Sequence, residues 1–284
     1  MFLCSSGAEA NENALKLASF HTGKKRVVAF KNAFHGRTSA AVAATDNQNI
    51  NAPLNQQQEV TFIPFNDAHA LEKELQKGDV CAVIFEPIQG VGGLDMPQDD
   101  FVLKMEQLCQ QYETALIADE VQSGFSRSGT FFAFQNNNIK PHVITMAKGM
   151  GNGFPIGGIL VHPDVKPKYG MLGTTFGGNH LACTASLAVL EILKKDKLQQ
   201  HAKAMETYFR SKAEKIKGAK IKGRGLMLGL EFDFEVGPLR KRLIYEKKIF
   251  TGGSSNKNVL RILPPLTVQK VHFDQLFDAL EDLL

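Results

Sequence analysis

The stretch TALIADEVQSGFSRSGTFFAFQNNNIKPHVITMAKGMGNGFPIGG, Thr114–Gly158, decides the fold. It holds two apolar runs, Thr114–Ala118 and Val143–Met146, short enough to be buried strands. Each run gives way to a charged residue where strand should become loop: Asp119 after the first, Lys148 after the second. In an open α/β sheet, ligands bind beyond the carboxyl ends of the strands. Two neighbouring strands of this kind present a carboxylate and an amine to one crevice.

That pair has a definite chemistry. A lysine after an apolar strand, followed by a glycine-rich loop, is a candidate Schiff-base nucleophile, and a nearby carboxylate can hold a pyridinium nitrogen protonated. Together they form the core of a pyridoxal-phosphate site. Taken singly, a strand-end lysine is usually a solvated loop residue and a strand-end aspartate usually a cap or turn former. The rest of the chain has to supply the case.

With 284 residues, 43% hydrophobic and 22% charged, the composition is that of a globular protein with one large domain and a smaller one. The net charge of +4 is spread out, and the clusters Lys24-Lys25-Arg26 and Arg240-Lys241-Arg242 are short. Nucleic acid is therefore not an expected partner. Cys4, Cys81, Cys109 and Cys183 form no CxxC pair and sit in apolar contexts, as reduced core residues do, so neither a disulfide framework nor a metal site is expected. No run reaches the ~18 apolar residues of a membrane helix, and no signal peptide is visible. The expectation is a cytoplasmic protein without a membrane partner.

Met1-Phe2-Leu3-Cys4 reads as a buried strand with no polar lead-in. A domain starting on a central strand lacks its neighbours, so the expectation is a chain without its front segment; the alternative is an edge strand. Ser6 and Glu9 then have capping-box spacing, and Ala10, Ala14, Leu17 and Ala18 share one helix face. A strand, a small-residue turn at Gly7 and Ala8, and a helix N-terminus together suit an anion such as phosphate, though equally a plain cap. Further strands are read at Arg26–Phe30, Val60–Phe65 and Val80–Phe85, and helices at Asp67–Lys77 and Asp100–Tyr112. This alternation predicts an α/β fold with a mostly parallel sheet. Asn47–Glu59 reads as a surface loop. The apolar helix Leu181–Leu193 runs into a charged helical stretch, Lys194–Lys217. Beyond it come strands within Ala219–Phe234, a helix at Pro238–Lys248, a strand at Val259–Leu263 and a helix at Val268–Leu284. The reading is a large domain over 1–197 and a small α+β domain over 198–284.

Eight segments then occur in one order: SSGAEANENALKLA, FHGRTSAA, EPIQGVGG, ADEVQSGFSRSG, MAKGMGNGFPIGG, GTTFGGNHLA, GRGLMLGLEF and LRILPPLTV. They resemble the class III aminotransferases, and within them the acetylornithine, succinylornithine and ornithine group, over essentially the whole chain. The resemblance implies a fold-type-I, pyridoxal 5′-phosphate-dependent transferase.

Its implied roles fall on matching positions. Lys148 would be the Schiff-base lysine and proton carrier, which requires partial desolvation. Asp119 would pair with the pyridine nitrogen. Val121 would pack on one ring face and Phe34 on the other, with His35 beside it, Glu120 and Gln122 completing the loop, and Gln122 near the ring hydroxyl. Gly7 and Ala8 would hold the phosphate. Thr175 resembles the threonine that serves the phosphate of a neighbouring subunit, which implies a homodimer with shared active sites, and Thr174 would lie against substrate. Arg37 and Arg261 match carboxylate-binding arginines, suited by their planar forks. Glu86 resembles the glutamate that pairs with Arg261 and masks it.

Two positions depart from the common pattern: Val91 stands where many relatives have glutamate, and His142 where many have aspartate. Relatives also carry a substantial N-terminal segment before Phe2, which puts the activity of this chain in question. The implied reaction moves the terminal amine of an acylated ornithine to 2-oxoglutarate, in arginine biosynthesis. The alternatives are ornithine or another ω-amino acid as donor, or a catalytically silent chain.

Overall fold

Short apolar strands alternate with amphipathic helices through the first half of the chain, and the computed structural model, which describes all of Met1–Leu284, assembles them into one mixed sheet. The elements are β1 (Phe2–Cys4), α1 (Gly7–Thr22), β2 (Arg26–Phe30), α2 (Ser39–Ala43), β3 (Val60–Ile63), α3 (Ala68–Leu75), β4 (Val80–Phe85), α4 (Asp99–Gln111), β5 (Ala115–Asp119), β6 (Val143–Met146) and β7 (Gly157–Val161). The strand order is β1-β7-β6-β5-β4-β2-β3. Strands β2 to β6 are parallel, and β7 runs antiparallel to both β6 and β1. It follows that β1 points the same way as β6, and all six parallel-sense strands end on one side.

The strands read as unbroken apolar runs because both sheet faces are covered. Along β4, Ala82 and Ile84 face α1, packing with Ala10, Ala14 and Leu17, while Val83 and Phe85 face α3 and α4, packing with Leu71, Met105 and Leu108. This is the strand period of two expressed as two separate cores. Helix α1 starts at a true cap: Ser6 Oγ accepts from Glu9 N at 3.2 Å, and the Glu9 carboxylate accepts from Ser5 N at 2.7 Å.

Two readings are corrected here. Strand β1 lies at the edge of the sheet, paired with β7 alone, and only Cys4 of its residues is fully buried. Strand β7, within the glycine-rich segment, has no apolar lead-in because Gly157 and Gly158 must stay bare. A Cβ on Gly157 would stand 2.6 Å from the Ser6 carbonyl oxygen, and one on Gly158 2.9 Å from that of Phe2. The Asn47–Glu59 segment is a largely exposed connection with two single 3-10 turns.

The second half contains α5 (His180–Lys195), α6 (Leu198–Ala213), β8 (Lys220–Arg224), β9 (Met227–Glu231), α7 (Gly237–Tyr245), β10 (Val259–Ile262) and α8 (Lys270–Leu283). Helices α5 and α6 are not continuous as read: the chain breaks at Asp196-Lys197, where Lys197 has φ +50°. The break is needed because α6 must turn Ala202, Met205, Phe209 and Ala213 into a different core, shared with α8. Strands β8, β9 and β10 form an antiparallel sheet in the order β10-β9-β8, and its core of 20 residues comes wholly from Ala202–Leu280.

Candidate active site

The parallel strands deliver one polar group after another to the same side of the sheet. β5 ends on Asp119, Glu86 follows β4 directly, Phe34 and His35 follow β2, and Lys148 follows β6 by two residues. The N-terminus of α1, at Gly7, emerges there too, since β1 shares their sense. These groups line one cavity of about 430 Å³, which brings together Gly7, Ala8, Phe34, His35 and Arg37 with Glu86, Asp119, Val121, Gln122 and Lys148. Val91, the unusual position in its loop, also faces this cavity. A second cavity of about 350 Å³ shares Gln122 and Lys148 as its wall.

Asp119 is 4% exposed and is held by four donors. Its Oδ2 accepts from Asn11 Nδ2 at 2.8 Å and His35 Nδ1 at 2.7 Å; its Oδ1 accepts from Val121 N at 3.0 Å and Thr145 Oγ1 at 3.4 Å. A carboxylate offers about four acceptor directions, so its orientation is set on every side. Lys148 opens the turn after β6 with φ +43°, a left-handed conformation that a lysine holds only under constraint from its surroundings. Its side chain is exposed to the cavity, not desolvated as the sequence led us to expect. Arg37 is exposed at the cavity wall, a cation open to a carboxylate.

Four of the residues named from the sequence lie elsewhere. Glu120 is fully buried but turned out of the cavity: its carboxylate accepts from Ser123 Oγ at 2.6 Å and Phe134 N at 2.8 Å, and burial pushes its carboxyl up to about 7. Successive side chains at a strand end point to opposite sides, so Asp119 and Glu120 cannot both face the cavity. Thr174 and Thr175 are exposed on a loop that contributes nothing to this chain's cavity. Arg261, on β10, forms no ion pair with Glu86. Instead its Nη1 donates to the carbonyl of Gly90, whose N–H in turn donates to Glu86 Oε2 at 2.9 Å. Burial pushes the Glu86 carboxyl above its ordinary range, and Phe34 N donates to its other oxygen at 2.9 Å. Burial, followed by repulsion from Arg240, lowers the Arg261 guanidinium from its ordinary value, while Glu86 counters this.

The sequence reading passed over Asn11, Thr145 and Gly90. For Asn11 a signal existed, since a polar residue lies beside Ala10 on the face of α1 that packs on the sheet.

The class-III aminotransferase family model matches residues 1–284 in full. The chain belongs to this family. It is 37% identical to the acetylornithine aminotransferase of Methanosarcina mazei over 286 aligned positions, covering 99% of this chain and 72% of the relative. The Bacillus subtilis enzyme of the same name is also 37% identical, over all of this chain and 74% of its own length. Among solved structures, the ornithine aminotransferase of Toxoplasma gondii superposes with a TM-score of 0.89 at 28% identity, covering 99% of this chain and 71% of that one. The taurine:2-oxoglutarate aminotransferase of Bifidobacterium kashiwanohense, solved with pyridoxal phosphate and glutamate, gives a TM-score of 0.86 at 25% identity, over all of this chain and 76% of that one.

Class-III aminotransferases work with pyridoxal 5′-phosphate, and the residues here fit that group. At the N-terminus of α1 a Cβ on Gly7 would stand 2.6 Å from Val121 Cγ1, so the backbone must stay bare at a helix end whose N–H groups suit an anion. Across the cavity stand the buried carboxylate of Asp119 and the amine of Lys148.

Proposed function

We propose that this chain transfers the terminal amine of N-acetylornithine to 2-oxoglutarate, producing glutamate and a semialdehyde, in the biosynthesis of arginine. The observation that carries this reading is the meeting of Lys148, Asp119 and the Gly7–Ala8 helix end in one cavity. It is supported by the similarity to acetylornithine aminotransferases along the whole chain.

When bound, pyridoxal phosphate supplies a reactive carbonyl carbon and a ring that accepts electrons. Gly7 and Ala8 hold the phosphate through backbone N–H groups at the positive end of α1. Asp119 keeps the proton on the ring nitrogen. Phe34 and Val121 would pack against the ring, Gln122 would meet the ring hydroxyl, and His35 supports Asp119. Lys148 Nζ would be the nucleophile toward the cofactor's carbonyl carbon and the group that moves protons at the reacting carbons. Arg37 and Arg261 bind substrate carboxylates, one in each half-reaction, and Glu86 anchors Gly90, the residue whose carbonyl holds Arg261. Glu120 acts from outside the cavity by fixing the turn that carries Val121 and Gln122.

Thr174 and Thr175 belong to a second copy's site in this reading: Thr175 serves its phosphate and Thr174 its substrate. Helix α5 exposes Leu181, Leu187 and Ile192, which a homodimer interface would cover. The chain from residue 198 onward acts as the small domain. No helix is long and apolar enough to cross a membrane, and we place the enzyme in the cytoplasm.

The test is direct. Purified protein given pyridoxal phosphate should develop a visible band that borohydride removes, leaving the label on the Lys148 peptide, and should convert acetylornithine faster than ornithine with 2-oxoglutarate. Label on another lysine would refute the assignment of Lys148, and a preference for ornithine would refute the donor.

A further inference from the structure

We infer that Asn11 is a positioning residue of this site: its side-chain amide locks His35 and Asp119 together and ties both to the helix that starts at Gly7. The inference rests on the reading of Asp119 as the holder of the ring nitrogen, and deepens it.

Asn11 is 1% exposed, one turn into α1, on a face otherwise made of alanine and leucine. An amide in such a place is costly unless bonded. Both of its N–H groups are used: one donates to the His35 carbonyl at 2.6 Å, the other to Asp119 Oδ2 at 2.8 Å. Turned over, the amide would set its own oxygen against a carbonyl and a carboxylate, so the orientation is fixed by its acceptors. His35 Nδ1 donates to the same Asp119 oxygen at 2.7 Å, which places the imidazole proton on Nδ1. The three residues therefore close a ring: Asn11 to the His35 main chain, the His35 side chain to Asp119, and Asn11 to Asp119. His35 is held from the other side as well, its N–H donating to Thr45 Oγ1 at 2.9 Å.

The helix gives this ring its purpose. Asn11 lies four residues beyond Gly7, a rise of ~6 Å along one rigid element. One helix thus fixes the anion cradle at its first turn and the carboxylate at its second, and sets the spacing between the two ends of a planar ligand. Without the Asn11 amide, Asp119 Oδ2 keeps a single donor and the buried His35 carbonyl keeps none. The loop carrying Phe34 and His35 is then released from α1.

The experiment uses the full chain with Asn11→Leu, which keeps the branched shape without polarity though it is somewhat larger, and Asn11→Ala in case the leucine variant fails to fold. In wild-type protein with labelled histidine, NMR should show a hydrogen-bonded His35 Nδ1 proton in slow exchange with water. In either variant that exchange should quicken about tenfold or more, the effect of losing one hydrogen bond to a charged acceptor, and release of pyridoxal phosphate should quicken likewise. A variant that melts earlier but keeps both the His35 signal and the wild-type release rate would assign Asn11 a merely structural role and overturn the inference. The His35 signal decides the matter even if wild type takes up no pyridoxal phosphate, an outcome that would instead overturn the proposed function.

Discussion

Glu86 and Arg261 hold the same residue by its two polar groups: Glu86 accepts the N–H of Gly90, and Arg261 donates to its carbonyl. The carboxylate follows a strand of the large sheet and the arginine sits on the small one. Their charges therefore act in series through one peptide segment, and Arg261 can leave Gly90 for a substrate without stripping Glu86 of its backbone donors.

Glu86→Ala should spare the glutamate half-reaction and lower the preference for the ω-amine donor, because Gly90 loses its anchor and the Arg261 it holds becomes available to competing α-amino acids. Arg261→Ala should instead strike the glutamate half-reaction by about 30- to 1000-fold, the loss of a bidentate charge-assisted contact. Single-turnover kinetics of each half-reaction separate the two. Equal slowing of both halves by both variants would make the pair purely structural.

Gly7 and Gly90 should answer differently to a methyl group. On Gly90 it would meet Gln122 Oε1 at 1.6 Å, the free end of a flexible side chain, whereas on Gly7 it meets the branched Val121 at 2.6 Å. Gly7→Ala should then cost about 1–3 kcal/mol of stability, and Gly90→Ala clearly less, while still moving Gln122 and altering the bound-cofactor spectrum. Urea melts and absorption spectra check both; equal destabilisation would contradict the stiffness argument.

Glu120 predicts a pH effect. Burial raises its carboxyl from 4.5 to about 7, so the folded chain binds this proton more tightly than the unfolded chain. Wild type therefore loses stability from this group as pH rises from 4.5 to about 7. Glu120→Gln cannot titrate, and its stability relative to wild type should climb across that window by up to about 3 kcal/mol. Denaturation at pH 5 and pH 8 measures this, and a pH-independent difference would remove the cause.

His142 should act in the opposite sense. Burial lowers its pKa from 6.5, and His21 and His162, each with its ring centroid 6.4 Å away, add to this against Asp164 and Glu106. Its Nδ1 accepts Leu116 N at 3.0 Å, so a proton there would face another N–H. The folded state keeps His142 neutral while the unfolded state takes a proton, and stability falls as pH drops below 6.5. His142→Asn should melt with a shallower acid slope than wild type between pH 7 and pH 5.5; identical slopes would clear His142 of the effect.

For the shared-site reading, Lys148→Ala and Thr175→Ala chains, each inactive alone, should regain activity when mixed into heterodimers. Silence in verified heterodimers would mean that each chain builds its own site.

Asp119 and Lys148 were legible because strand length and the terminal charge are both local properties. The break at Lys197 was not, since a charged helical rhythm continues across it and only the demand for a second buried face reveals the turn. Strand β7 hid because its glycines serve a neighbour 150 or so residues earlier in the chain. Glu120 misled because adjacency to Asp119 in sequence means the opposite side in space. The placement of Arg261 depends on where two sheets meet, which no local pattern carries.

The pairing of Phe2 with Ile159 also orders events during synthesis. Strand β1 is made more than 150 residues before β7, the strand it pairs with. Until then the residues that follow it, including Gly7, have no fixed edge to grow from. The helix end at Gly7 is thus seated in the sheet only after β7 has been made. A chain stalled before Val161 should therefore leave β1 as an unpaired strand, open to chaperones or to other nascent chains.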